Sequence, residues 1–168
     1  IYDGDGAAYI FERNATTGNW REVQKIVASD RDAGDLFGFS VSISGNYAIV
    51  GAYQEDEDAN GKNNVYRAGS AYLFERNAST GNWSEVQKIV ASNRNNNDHF
   101  GRSVAIDGDY AIVGAWQEDE DASGQITKTS AGSAYLFERN ATTGTWSEVQ
   151  KIVASDRDGD DRFGNSVS

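Results

Sequence analysis

One eight-residue stretch occurs three times almost unchanged: Ala8-Tyr9-Ile10-Phe11-Glu12-Arg13-Asn14-Ala15, then Ala71-Tyr72-Leu73-Phe74-Glu75-Arg76-Asn77-Ala78, then Ala134-Tyr135-Leu136-Phe137-Glu138-Arg139-Asn140-Ala141. The copies lie 63 residues apart and align without a gap. A period of this length makes each copy one supersecondary unit that buries its apolar face against its neighbours. It also bears on function: a feature present in every copy belongs to scaffold or to multivalent binding, whereas a catalytic constellation is usually single.

Within the middle copy, Gly101 to Ile106 alternates, with Val104 and Ile106 on one face, and Asp107-Gly108 offers a two-residue hairpin turn. Tyr110 to Ala115 returns as a small, apolar strand suited to cover on both faces. The polar stretch Gln117 to Ser130, where the copies diverge most, reads as a loop. Gly132 to Glu138 is a third strand, and Asn140 to Gly144 turns the chain into a fourth from Trp146 to Ala154. The spacing of Trp146, Val149, Ile152 and Val153 also fits an amphipathic helix, but the Gly-bearing turn and the β-forming residues at its end favour a strand.

Four antiparallel strands per copy predict an all-β fold of propeller blades, with a β-sandwich as the alternative. The expected boundaries are a partial blade at 1–36 (third and fourth strands), full blades at 37–99 and 100–162, and the first strand of a further blade at 163–168. So few blades cannot close a ring of about four to eight. Further repeats, or other copies of the chain, are therefore expected to complete it, and the lack of any methionine fits a processed chain or a piece of a longer one.

Hydrophobic residues at 38% place the chain well above disordered sequences. A net charge of -11 argues against nucleic-acid partners, and no apolar run is long enough to predict membrane insertion. The absence of cysteine excludes a disulfide framework and a thiolate metal site.

The dipeptides Phe37-Gly38 with Gly51-Ala52, and Phe100-Gly101 with Gly114-Ala115, resemble the FG-GAP repeat of the integrin α-subunit type. The strands Gly69 to Phe74 and Gly132 to Phe137 are similar to the third strand of that repeat. The resemblance implies a β-propeller, an extracellular or cell-surface location of the kind bacterial repeat arrays have, and a role in adhesion and ligand binding. Two departures stand out. Tyr53 and Trp116 replace the proline that follows Gly-Ala in the family, and the short turns Ser44-Gly45-Asn46 and Asp107-Gly108-Asp109 replace its calcium loop.

The metal signal lies elsewhere, in Asp56, Asp58 and Asn60 and again in Asp119, Asp121 and Ser123, which match the opening of a calcium loop. The closing carboxylate of that motif is missing, since Arg67 and Ser130 hold its twelfth position, so a solvated acidic loop competes with calcium, the one cofactor the sequence offers. A second cluster, Asp30-Asp32-Asp35, recurs as Asp156-Asp158-Asp161 but becomes Asn93-Asn95-Asp98 in the middle copy, a loss of charge that a structural ion would not readily tolerate. Asn14, Asn77 and Asn140 each head an N-glycosylation acceptor pattern, as does Asn82, although hairpin turns need the same residues.

Trp20, Trp83 and Trp146 recur in phase and are expected to pack between blades. Tyr53 and Trp116 offer an aromatic platform that could stack a sugar ring beside the acidic loops, with rim packing as the competing role. His99 is the only histidine and has no counterpart in the sister copies, which leaves little for a nucleophilic triad and points to a non-catalytic protein. The sequence thus predicts an extracellular scaffold or adhesion module that meets a protein or surface ligand through its blade loops. A lectin-like glycan binder and a structural subunit whose chains complete one another's blades are the alternatives.

Overall fold

The computed structural model describes residues 6–168. Among them are ten strands and no helix: β1 (Ala8–Arg13), β2 (Trp20–Ile26), β3 (Ser40–Ser44), β4 (Tyr47–Ala52), β5 (Ser70–Arg76), β6 (Trp83–Ile89), β7 (Phe100–Asp107), β8 (Tyr110–Ala115), β9 (Ser133–Arg139) and β10 (Trp146–Ile152). They form two four-stranded antiparallel sheets, β3-β4-β5-β6 and β7-β8-β9-β10, and a two-stranded sheet, β1-β2. The fold is all-β and the sheets are open, propeller-like blades with no closed barrel.

Each blade is a meander because its connections are short and its turn residues suit them. Ser44 pairs with Tyr47 and Asp107 with Tyr110, so two residues make each tight turn. Gly45 and Gly108 take the first central position at φ 57° and 55°, where a side chain would be strained. The fourth strand is a strand, though it ends at Ile152 rather than at Ala154, and its helix-like spacing has a simple cause. The β5–β6 register jumps from Leu73–Gln87 to Phe74–Glu85, and the β9–β10 register jumps in the same place, so Val86 and Val149 lie at bulges that break strict alternation.

Blades meet through close backbone approach. Gly69 and Phe100 form a parallel bridge across one joint, and Gly132 and Phe163 form the same bridge across the next. A Cβ on Gly51 would lie 2.0 Å from the Gly101 carbonyl oxygen, and one on Gly114 would lie 1.9 Å from that of Gly164. The hydroxyls of Ser40 and Ser103 donate to these same carbonyls at 2.8 and 2.7 Å. The Phe-Gly and Gly-Ala dipeptides are therefore two halves of one joint.

Apolar packing fills the rest of each joint. One core cluster joins Ala8, Ile10 and Ile26 to Val50, Phe74 and Trp83, and another joins Ile49, Leu73 and Ile89 to Val104, Val113 and Trp146. Trp83 and Trp146 are 5% and 2% exposed, as expected of inter-blade residues, whereas Trp20, with no earlier blade against it among the described residues, is 67% exposed. The outer strands are tied by side chains. Gln24 donates to the Trp83 carbonyl at 2.7 Å and accepts from its N–H at 2.8 Å, and Gln87 repeats both bonds with Trp146.

Candidate functional site

Two sets of loops meet at each joint: the one after the second strand of a blade and the one that leads into the next blade. The amides of Asn97, His99 and Phe100 donate to the carbonyls of Tyr66, Arg67 and Ala68. Arg94 donates to the carbonyls of Asp56, Glu57 and Asn63, and Arg157 does the same for Asp119 and Ile126. Burial pushes the Arg94 guanidinium below its usual range, against the pull of neighbouring carboxylates led by Asp58.

The acidic residues of the calcium-like loops hold that loop's own backbone. Asp58 Oδ1 accepts from the amides of Asn60 and Lys62, Asp56 Oδ1 from that of Arg67, and Asp58 Oδ2 from the Asn63 side chain. In the next blade Asp121 accepts from Ser123 and Gln125, and Asp119 from Ser130. These backbone donors hold Asp58 and Asp121 at about 2. Among the described residues no group of three or more His, Cys, Asp or Glu side chains is placed to hold a metal ion. The three glycosylation-pattern residues do turn work: the Oδ1 atoms of Asn14, Asn77 and Asn140 each accept two amides of their own turn, and all three are exposed.

Tyr53 and Trp116 belong to a row of rings and cations that crosses the joint. Arg102 sits 4.4 Å from the Phe39 ring centre, 5.4 Å from that of Tyr53 and 5.3 Å from that of Trp116. His99 meets Tyr53 edge-on at 5.2 Å and stacks near Trp116 at 6.0 Å, and Arg162 lies over Trp116 at 4.9 Å. Burial, then the charge of Arg67, pushes the His99 imidazole below its usual range, so it is neutral near pH 7. The platform thus lies among cations rather than among the carboxylates that follow it in sequence, because the next blade's first strand delivers Arg102 to it.

Beneath the loops each joint holds a buried polar group that sequence reasoning missed. Glu55 and Glu118 are buried, and each accepts the amide two residues on at 2.8 Å. The Tyr72 hydroxyl lies 2.8 Å from Glu55 Oε2 and 2.9 Å from Asp30 Oδ1, and Lys88 Nζ lies 2.7 Å from Asp30 Oδ2 and 3.5 Å from Glu55 Oε1. In the next joint the Tyr135 hydroxyl meets Glu118 Oε2 and, at 2.8 Å, Asn93 Oδ1, while Lys151 Nζ lies 2.7 Å from Glu118 Oε2. Burial, with the charge of the neighbouring glutamate next in size, pushes both tyrosine hydroxyls above their usual range. Burial also raises Asp35 to about 7, where Glu55 adds to the effect, and Asp98 to about 8, where Glu118 does.

A family model described as FG-GAP repeat matches residues 20–74, 83–137 and 146–168. The chain belongs to the FG-GAP repeat family. FG-GAP repeats usually occur in extracellular proteins and are typically non-catalytic scaffolds. No curated protein matches the chain. A crystal structure of a protein with unknown function from Bacteroides fragilis NCTC 9343 is similar at 10% identity, over 89% of this chain and 94% of that one, with a TM-score of 0.19. No helix among the described residues is long and apolar enough to cross a membrane.

Proposed function

We propose that this FG-GAP chain is a non-catalytic, extracellular binding scaffold whose row of rings and cations takes an acidic glycan. The observation that carries the reading is Arg102 set among Phe39, Tyr53 and Trp116, with Trp116 also facing Arg162. Aromatic faces suit the apolar faces of sugar rings, and a guanidinium suits a carboxylate. The net charge of -11 repels such a ligand elsewhere on the surface and so confines it to this row. Phe39 and Tyr53 of one blade and Arg102 and Trp116 of the next build this row, so a ligand on it would span the joint.

Electrophoresis through gels that contain a uronic-acid polysaccharide tests this. The wild-type protein should be retarded relative to a neutral-polysaccharide gel, less so as salt is added, and Trp116→Ala or Arg102→Ala should run freely. Equal mobility in both gels sinks the glycan reading and leaves a protein ligand for the adhesion role. The calcium loops are checked in the same buffers, where a melting temperature that is equal in calcium and in chelator retires them as an ion site.

A second reading, assembly by blade completion, rests on β3. Val41 and Ile43 are 60% and 55% exposed, while their counterparts Val104 and Ile106 are 7% exposed each against the preceding blade. A hairpin like β7-β8, supplied by another copy, would cover them. Light scattering that gives the monomer mass at every concentration would rule that out.

A further inference from the structure

The buried groups at the two joints share a chemistry beyond the ion pairs Lys88–Asp30 and Lys151–Glu118, each 2.7 Å long. In the first, Lys88 faces Asp30; in the second, the corresponding loop residue is Asn93, which carries no charge to pair with a lysine. What Asp and Asn have in common is an acyl carbon. Both joints also place a glutamate at the lysine nitrogen and a tyrosine hydroxyl on the acyl oxygen: Glu55 and Tyr72 in one, Glu118 and Tyr135 in the other. The four residues come from four segments, and they recur 63 residues apart as a set.

We infer that these are sites of self-catalysed isopeptide bond formation, Lys88 to Asp30 and Lys151 to Asn93, which weld each blade to the loop before it. At the first joint the ammonium of Lys88 gives a proton to Glu55, and the freed amine attacks Asp30 Cγ. The Tyr72 hydroxyl, 2.9 Å from Asp30 Oδ1, stabilises the oxyanion that forms there. Asp30 Oδ2 leaves with protons from the amine and from Glu55, so an ammonium and a carboxylate become an amide and one water. At the second joint Glu118 Oε2 lies 2.7 Å from Lys151 Nζ and 3.1 Å from Asn93 Nδ2, placed to carry a proton from the attacking amine to the departing nitrogen. There an ammonium and a primary amide become a secondary amide and one ammonium ion.

Neither step needs an oxidant, a metal or a second protein. Both lysine side chains and both glutamates are buried, while the Asp30 side chain is 28% exposed, open enough for the released water to leave. The third loop carries Asp156 in the same position, and the lysine that would face it, from the fourth strand of a following blade, is not among the described residues.

The test is the intact mass of the denatured protein followed by peptide mapping. The expected mass is below that of the sequence by one water and one ammonia, with two branched peptides that join Lys88 to Asp30 and Lys151 to Asn93. Glu118→Gln should restore the ammonia and Glu55→Gln the water, each leaving the other link in place. A wild-type mass equal to the sequence overturns the inference, as do losses that map to backbone imides instead of lysine branches. Loss at one joint only keeps that pair and overturns the other. Because the wild-type mass decides the matter, a variant that fails to fold does not.

Discussion

The strands β3 and β7 occupy the same place in two blades and live in different surroundings. Val104 and Ile106 on β7 are buried against the previous blade, whereas Val41 and Ile43 on β3 are open to solvent, because only a third and a fourth strand precede them among the described residues. The tryptophans tell the same story, with Trp83 and Trp146 buried and Trp20 exposed. Burial in this molecule is thus a property of the joint between repeats, and a single repeat does not possess it. Stability is then set by nearest-neighbour contacts, as in other repeat architectures.

That contrast can be broken most forcefully at the glycines. Gly51→Ala drives a methyl group into the Gly101 carbonyl between two complete sheets and is expected to cost more than about 4 kcal/mol, read as loss of the cooperative melt. Gly114→Ala meets Gly164 in the short segment after β10, which can move aside, so its cost should be visibly smaller in the same assay. Equal effects would mean that 163–168 is held as firmly as a full blade.

Next in size are the tryptophans. Trp83→Ala should lose about 3–5 kcal/mol by chemical denaturation, and Trp20→Ala should stay within about 0.5 kcal/mol. Ile106→Ala against Ile43→Ala probes the same asymmetry with less volume, at about 2 kcal/mol against almost nothing. If Ile43→Ala proves as costly as Ile106→Ala, β3 is covered in solution and blade completion by another copy gains its support.

The smallest effect separates the two joints by pH. Asp98 holds its proton to about 8 and Asp35 to about 7, against 3.8 for a free aspartate. A folded-state value above the unfolded one means the folded protein binds the proton more tightly, so this contribution is complete below 3.8 and is lost as pH rises through the folded value. The melting temperature should therefore fall between about pH 5 and pH 8, and Asp98→Asn should flatten that fall by a few degrees, more than Asp35→Asn does. An unchanged slope in Asp98→Asn would place the proton elsewhere in the joint.

Much of this architecture was legible in the sequence. The 63-residue period, the four-strand order and the tryptophan phase all follow from residues repeated in step. The polar groups in the joints were harder to see. Glu55 and Glu118 open acidic stretches that look solvated, and nothing local says that a lysine from a fourth strand and an aspartate or asparagine from the preceding loop converge on them. The available signal was that Glu, Lys and Tyr recur at the same period while sitting far apart within it. The cation row was hidden for a related reason: Tyr53 and Arg102 become neighbours only once blades stack.

The strands β4 and β8 have the same sequence, Tyr-Ala-Ile-Val-Gly-Ala, and β5 with β9 and β6 with β10 are likewise identical. Side-chain identity therefore cannot tell a folding chain which copy a strand should join. The ordering must come from loop closure, since a two-residue turn finds its partner long before a strand one period away arrives. At high protein concentration that advantage shrinks, and molecules can exchange matching hairpins without a mismatch. The uniformity that lets repeats stack so regularly also makes them interchangeable between chains.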